Sequence, residues 1–301
     1  MPKEILKIHN KLNLLTFKQF TARDYDIFFL VCDKVQGMEK LVEEKDIATA
    51  DISMDIPYSE ITKNSGMWKM SAKELTKELH DVQQKLRMID YDEFKDDEFD
   101  SFVFFQRFAG STSKRILHVE VYREAVKYLM YIHNKFTPIE LNEFVSIESK
   151  YAKTLYRLLM MFGDTGELHV KIEKFREVLG VPQAYTTKMM NRDIIDPAVK
   201  ALQKFFPNLT YDLIRSNRRG RPVVGYDFYF DKIERQITFN SQKDIDEIAK
   251  SIKKNSNYTN QKKRSNFDSF EQNDYDYNLL EELLIRQTED ASNSDNSSKE
   301  P

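Results

Sequence analysis

The chain has 301 residues, 41% of them hydrophobic and 32% charged, with a formal net charge of −3. That length accommodates two ordinary domains of about 100–200 residues each. The longest purely apolar run, Ile27 to Cys32, falls far short of the ~20 residues that a membrane-spanning helix needs. Met1 to Asn13 shows no apolar stretch with a small-residue cleavage site, and the single cysteine, Cys32, allows no intrachain disulfide, so a cytoplasmic protein with no membrane association is expected.

Taken in chain order, the first predicted element is a helix over about 22–36. Thr21 is its N-cap, and Tyr25, Phe28, Cys32 and Val35 recur at helical spacing. Cys32 reads as a small core residue. Asp51 to Ile56 reads as a short strand, and Tyr58 to Asn64 as a short helix. Ser71 then starts a longer helix, with Glu74 completing a capping box and Ala72, Leu75, Leu79, Val82 and Leu86 on one stripe. Arg87 to Tyr91 and Phe102 to Phe108 read as the two strands of a hairpin, with the acidic run Glu93 to Asp100 as a solvated tip. Ile116 to Tyr122 alternates as a third strand.

A second compact pattern follows. Ser149 to Phe162 is a helix with Tyr151, Leu155, Leu158, Leu159 and Phe162 on its apolar side. Leu168 to Ile172 is a strand, and Glu173 to Leu179 a short helix stopped by Gly180. A longer helix runs from near Tyr185 to Phe205, with Met190, Ile194, Ala198, Ala201 or Leu202, and Phe205 as its stripe. Pro197 lacks an N–H, so a kink or restart is expected there. Leu209 to Ile214 and Pro222 to Phe230 are strands around the tip Arg215 to Arg221.

Helix, strand, helix, turn, helix, strand, loop, strand is the order of a winged helix, and it occurs twice. The fold class expected is α+β: two tandem winged-helix domains followed by a largely disordered C-terminal tail. The first domain takes residues 1–140 and the second 145–235. The Asn-, Ser-, Lys-, Asp- and Gln-rich tail takes 241–301. Near 276–286, after Phe267 and Phe270, Asp276 caps a short stripe of Leu279, Leu280, Leu283 and Leu284. A helix so short is marginal alone, and it suits either a partner's groove or its own domain.

Charge is unevenly spread. Ser146 to Arg221 carries 14 Lys/Arg against 8 Asp/Glu, a net of +6, while Pro222 to the end carries a net of −5. Local charge sets a nucleic-acid footprint. A helix-turn-helix lays its second helix in the DNA major groove with N-terminal residues on base edges. On the helix from Tyr185, Lys188 and Arg192 point away from the apolar stripe, Asn191 lies at its flank, and Thr187 falls nearer the stripe but within the first turn. The neighbouring tip places Arg215, Arg218, Arg219 and Arg221 within seven residues of one another around Gly220. Four guanidinium groups repel one another unless an anion sits among them, and each pairs well with phosphate. These eight residues are the candidate DNA contacts. In the first domain Lys73, Lys77, His80 and Gln84 lie opposite the apolar stripe, after Trp68 and Lys69. Glu74, Glu78 and Asp81 flank that face, so Lys69, Lys73 and Lys77 are accessory candidates that an ordinary solvated helix explains equally.

Several stretches resemble one family. Ser149-Lys-Tyr-Ala-Lys-Thr-Leu-Tyr-Arg-Leu-Leu159 is similar to a Ser-x-Tyr-(three residues)-Leu-Tyr-x-Leu-Leu helix. Phe175-Arg-Glu-Val-Leu-Gly-Val181 resembles the short helix after it. Asp196-Pro197-Ala198-Val199 resembles an Asp/Glu-Pro-Ala-Ile step, and Gly220-Arg-Pro-Val-Val-Gly-Tyr-Asp-Phe228 a wing strand. The family is that of the initiator replication proteins of iteron-type, theta-replicating plasmids. The resemblance spans about 20–230, is strongest over about 146–230, and leaves out the tail. It implies two winged helices, the second being the main reader of repeated origin sites. It also implies a first domain that dimerises and touches DNA, monomers on origin repeats, dimers repressing their own promoter, and recruitment of host replication proteins.

Enzymatic alternatives find little support. The histidines, His9, His80, His118, His133 and His169, offer no His-hydrophobic-His pair for a nicking enzyme, and no phosphate-binding Gly-Lys-Ser/Thr loop occurs. No Cys/His cluster suits zinc. No enzyme activity, metal or cofactor is expected. A winged-helix repressor without a replication role would use the same DNA chemistry, and an interaction scaffold would ignore the arginine tip.

Overall fold

The computed structural model describes residues 5–17, 19–38, 52–65, 67, 69–87, 91–95, 98–129 and 136–233. The tail, 241–301, with its helix near 276–286, lies outside the described residues, as does Trp68. In chain order the first domain comprises β1 (Ile5–His9), α1 (Asn10–Asn13), α2 (Ala22–Gly37), β2 (Ser53–Pro57), α3 (Tyr58–Asn64), α4 (Ala72–Leu86), β3 (Tyr91–Lys95), β4 (Glu98–Phe102), β5 (Phe105–Ser111), β6 (Ile116–Val121), α5 (Arg123–Leu129), β7 (Phe136–Glu140) and α6 (Leu141–Val145). The second comprises α7 (Lys150–Met161), β8 (Glu167–Lys171), α8 (Ile172–Leu179), α9 (Thr187–Met190), a π turn (Asn191–Ile195), α10 (Asp196–Leu202), β9 (Thr210–Arg215) and β10 (Val223–Tyr229).

The two units share one topology. α2–β2–α3–α4–β5–β6 repeats as α7–β8–α8–α9/α10–β9–β10. In both sheets the first strand pairs antiparallel with the last, giving the orders β2-β6-β5 and β8-β10-β9. Each is a winged helix, with the last two strands as the wing.

Local chemistry accounts for the helix starts. Thr21 accepts from the Asp24 N–H at 3.2 Å while Asp24 accepts from the Thr21 N–H, and Ser71 and Glu74 do the same for α4. Such caps satisfy N–H groups that have no partner inside the helix. Gly180 ends α8 at φ 64°, a left-handed conformation that costs glycine little.

The hairpin expectation for the first domain needs correction. Tyr91–Lys95 pairs with Glu98–Phe102 in a separate two-stranded sheet. The wing is β5 with β6, turning at residues 112–115, where Arg115 has φ 52°. Gly110-Ser-Thr-Ser113 is the turn signal, and Ile116 to Val121 buries alternate residues against the helices. Strands β1 and β7, more than a hundred residues apart, form a further antiparallel pair.

α7 is the joint of the molecule. Every residue from Ala152 to Met161 is buried, so this helix is surrounded by both domains. Towards the second domain Tyr156 packs edge-on against Phe205 and Phe206. Towards the first domain, Thr154 hydrogen-bonds Tyr25 at 3.0 Å, and Lys153 Nζ reaches Asp26 Oδ1 at 2.6 Å. The Arg157 guanidinium lies over the rings of Phe17, Tyr25 and Phe29, and it donates to the Asn13 carbonyl at 2.9 Å. One apolar core runs through both domains.

Candidate nucleic-acid interface

The candidate reading helix of the second domain is built from its apolar side outward. Met190, Ile194, Ala198, Leu202 and Phe206 are buried, with Ile195 and Val199 beside them. Ala201 is exposed, and Phe206 rather than Phe205 completes the stripe. Successive steps of four residues drift about 40° each on an ideal α-helix, or about 160° over this stripe. The π turn at Asn191–Ile195 takes in an extra residue and returns part of that drift. Pro197 stands where the α-type ladder restarts after the π turn: it sits in the first turn of α10, where a missing N–H is tolerated.

This framework fixes where the candidate contacts stand. Thr186 is the N-cap, accepting from the Met189 N–H at 3.2 Å. Thr187 follows, half-buried, and Lys188 is fully outward. Arg192 is exposed and makes a two-pronged pair with Asp193, at 2.6 and 2.8 Å. That carboxylate raises the Arg192 pKa, and its own is lowered in return. Asn191 is half-buried, and its Oδ1 accepts from the Tyr226 hydroxyl at 2.5 Å. Arg176 of α8 sets the preceding turn by donating to the carbonyls of Pro182 and Tyr185, at 3.1 and 2.7 Å.

The wing brings its arginines together. Arg215 closes β9 and donates to the Arg221 carbonyl at 3.3 Å. Arg218, Arg219 and Arg221 are exposed in the turn, which Gly220 (φ 83°) and Arg221 (φ 43°) bend sharply. Among the described residues no carboxylate pairs with any of the four. Like charges so clustered raise a positive potential that an anion lowers. Reading helix and wing are joined through the sheet, since Tyr226 lies three residues inside the start of β10, roughly 10 Å along the strand.

The first domain repeats the geometry more weakly. Lys69 is exposed just before α4, and Lys73 and Lys77 are exposed on it. Two acidic residues of α4 engage other groups: Glu74 the cap, and Glu78 Arg23 at 3.6 Å. Sequence reasoning passed over Lys114 and Arg115, both exposed at the first wing's turn. The polar cluster Ser111 to Ser113 followed by two cations was the available signal.

Residues 5–160 match the family described as Initiator Replication protein, WH1, and residues 171–230 match Initiator Rep protein, WH2. The curated "Probable replication protein rep" of Bifidobacterium longum (strain NCC 2705) is 25% identical over 206 residues, and the chain spans 65% of that relative's length while using 66% of its own. Among solved structures, "Crystal structure of Pi initiator protein in complex with iteron DNA" superposes with a TM-score of 0.55 at 16% identity, over 78% of this chain and 100% of that one; this likeness speaks for the fold. Two domain matches in tandem, the first alone spanning more than half of the chain, agree with the duplicated winged helix in the structure, and the protein belongs to the initiator replication protein family.

Proposed function

We propose that this protein is a non-catalytic plasmid replication initiator that binds repeated double-stranded DNA sites at an origin and also represses its own promoter. The observation that carries the reading is the arginine tip, with which no carboxylate pairs among the described residues, beside an exposed helix in the second winged helix. Family membership and the likeness to an initiator solved with iteron DNA support it. In this reading Lys188 and Arg192 meet base edges, with Thr187 and Asn191 near them. Arg215, Arg218, Arg219 and Arg221 take phosphates, and Lys69, Lys73 and Lys77 add an accessory phosphate grip. The protein works in the cytoplasm, exchanges between homodimer and monomer, and recruits host replication proteins through residues 241–301.

The test is functional. Duplexes selected by the protein from a random library are cloned as repeats beside an A/T-rich segment in a vector lacking any other origin, and the protein is supplied in trans. Replication of that vector, abolished by shuffling the repeats, is the expected result. Site-specific binding without replication would leave a repressor, and no selected sequence at all would remove the DNA-reading proposal.

A further inference from the structure

In the second domain, two phenols on the strands that carry the wing reach across to the reading helix. Tyr226 on β10 donates to Asn191 Oδ1 at 2.5 Å, and Tyr211 on β9 donates to Asp196 Oδ1 at 2.6 Å. These acceptors are the two residues between which the π-type backbone bond closes, from the Asp196 N–H to the Asn191 carbonyl. The segment where the helix departs from α geometry is therefore pinned at both ends, by one residue from each strand of the hairpin whose tip bears the arginines. The first domain joins the same two elements by hydroxyls. Tyr58 bonds Thr76 of α4 at 2.8 Å, and Thr76 bonds Thr112 in the first wing's turn at 2.8 Å.

We infer that Tyr226 and Tyr211 are positioning residues for base discrimination: their hydroxyls lock the π turn to the wing, so that the helix residues before and within it meet DNA in one fixed orientation. Tyr226 is fully buried, so it acts through Asn191. A contact to a base edge tolerates errors of only about 0.5 Å in its supporting shell, and the α-type bond ladder of this helix is interrupted by the π turn just one turn after its start. A phosphate grip tolerates more, because it carries no sequence information. The inference rests on the DNA-reading proposal and deepens it.

Phenylalanine at either position removes only the oxygen. The Tyr226 ring sits 5.2 Å from Phe175 and 6.0 Å from Tyr211, so the packing survives. The experiment measures binding of the full chain to its selected duplex and to a shuffled duplex of the same composition, at several salt concentrations. Tyr226→Phe, Tyr211→Phe and their double variant are expected to keep the affinity for shuffled duplex and the salt slope. The selected-to-shuffled ratio should fall by about five- to tenfold when the part-buried Tyr226–Asn191 bond is lost, and by about threefold when the exposed Tyr211–Asp196 bond is lost. Asn191→Ala combined with Tyr226→Phe should lose no more than Asn191→Ala alone, because both remove the same tie. Amide exchange over residues 191–196 in the free protein should quicken in Tyr226→Phe. A ratio within twofold of wild type, unchanged exchange, or losses that multiply in the Asn191→Ala/Tyr226→Phe pair would each overturn the inference. A wild type with no selected duplex would instead remove the reading on which it rests.

Discussion

Lys153 Nζ lies 2.6 Å from Asp26 Oδ1, with the lysine wholly buried and the aspartate nearly so, and this pair ties α7 to α2 across the joint between the domains. Burial pushes the Asp26 carboxyl up to about 7 and lowers the Lys153 ammonium, while their mutual attraction opposes both shifts. A buried pair contributes little compared with an apolar pair of the same size, but removing one partner strands the other charge at a cost of about 3–5 kcal/mol. Asp26→Ala is thus expected to lower stability by that order in urea denaturation. Asp26→Leu combined with Lys153→Met should recover most of the loss, and equal losses in the two proteins would contradict the account.

The first domain also carries a titrating group on the outer face of its sheet. His118 on β6 bonds Asp55 of β2 through Nδ1 at 2.7 Å and Glu120 through Nε2 at 2.9 Å. The hydrogen bonds to Glu120 and then Asp55 raise its pKa above the ordinary 6.5, with Arg107 opposing. A raised folded-state pKa means that the stabilisation is fully present below 6.5 and is lost as pH rises through the higher folded value. Wild type should therefore lose a small, salt-sensitive increment of stability above pH 6.5 that His118→Gln does not lose. Parallel curves for the two proteins, measured by thermal denaturation across pH 5.5–9, would show that the histidine contributes nothing.

Gly225 marks the bulge where β10 shifts register against β9. A Cβ there would stand 2.7 Å from the Val170 carbonyl oxygen and 2.9 Å from Ile214 Cδ1. The strand is central and the obstacle includes backbone, so it cannot swing aside. Gly225→Ala is expected to cost about 1–3 kcal/mol, the usual range for overpacking, read as a lowered melting temperature. An unchanged melting temperature would mean that the sheet yields at the bulge.

How much of this was legible in the sequence depended on the range of the interactions. The N-cap Thr21, the capping box of Ser71 with Glu74, the stop at Gly180 and the arginine tip act within a few residues, and each helix start or turn followed from them. β1 with β7 was not legible, because pairing across more than a hundred residues leaves no local pattern. The first wing was misplaced because the aromatic run from Phe102 to Phe108 contains both the end of β4 and the start of β5. Nothing local marks Lys153 and Arg157 as buried, since only the packing of two domains covers them. Asn191 was placed at the flank of the reading helix, but its tie to Tyr226 depends on a strand thirty-five residues away.

The two domains should differ in grip. Phosphate contacts set the salt dependence of binding, each contributing about 0.9 to the slope of log affinity against log salt. Arg218→Ala with Arg219→Ala should flatten that slope by about 2. Lys73→Ala with Lys77→Ala should flatten it by less, leaving sequence choice intact. Titrations of a fixed duplex between about 50 and 200 mM salt make the comparison, and equal slopes in all three proteins would remove both sets of lysines and arginines from the interface.

In the proposed function the second winged helix reads sequence with its helix and holds phosphate with its wing. The most direct measurement is selection from a random duplex library by wild type, Lys188→Ala/Arg192→Ala and Arg218→Ala/Arg219→Ala in parallel. The account predicts one enriched motif for wild type, the same motif at reduced affinity for the wing variant, and a lost or relaxed motif for the helix variant. Enrichment of the wild-type motif by the helix variant at full affinity would contradict it.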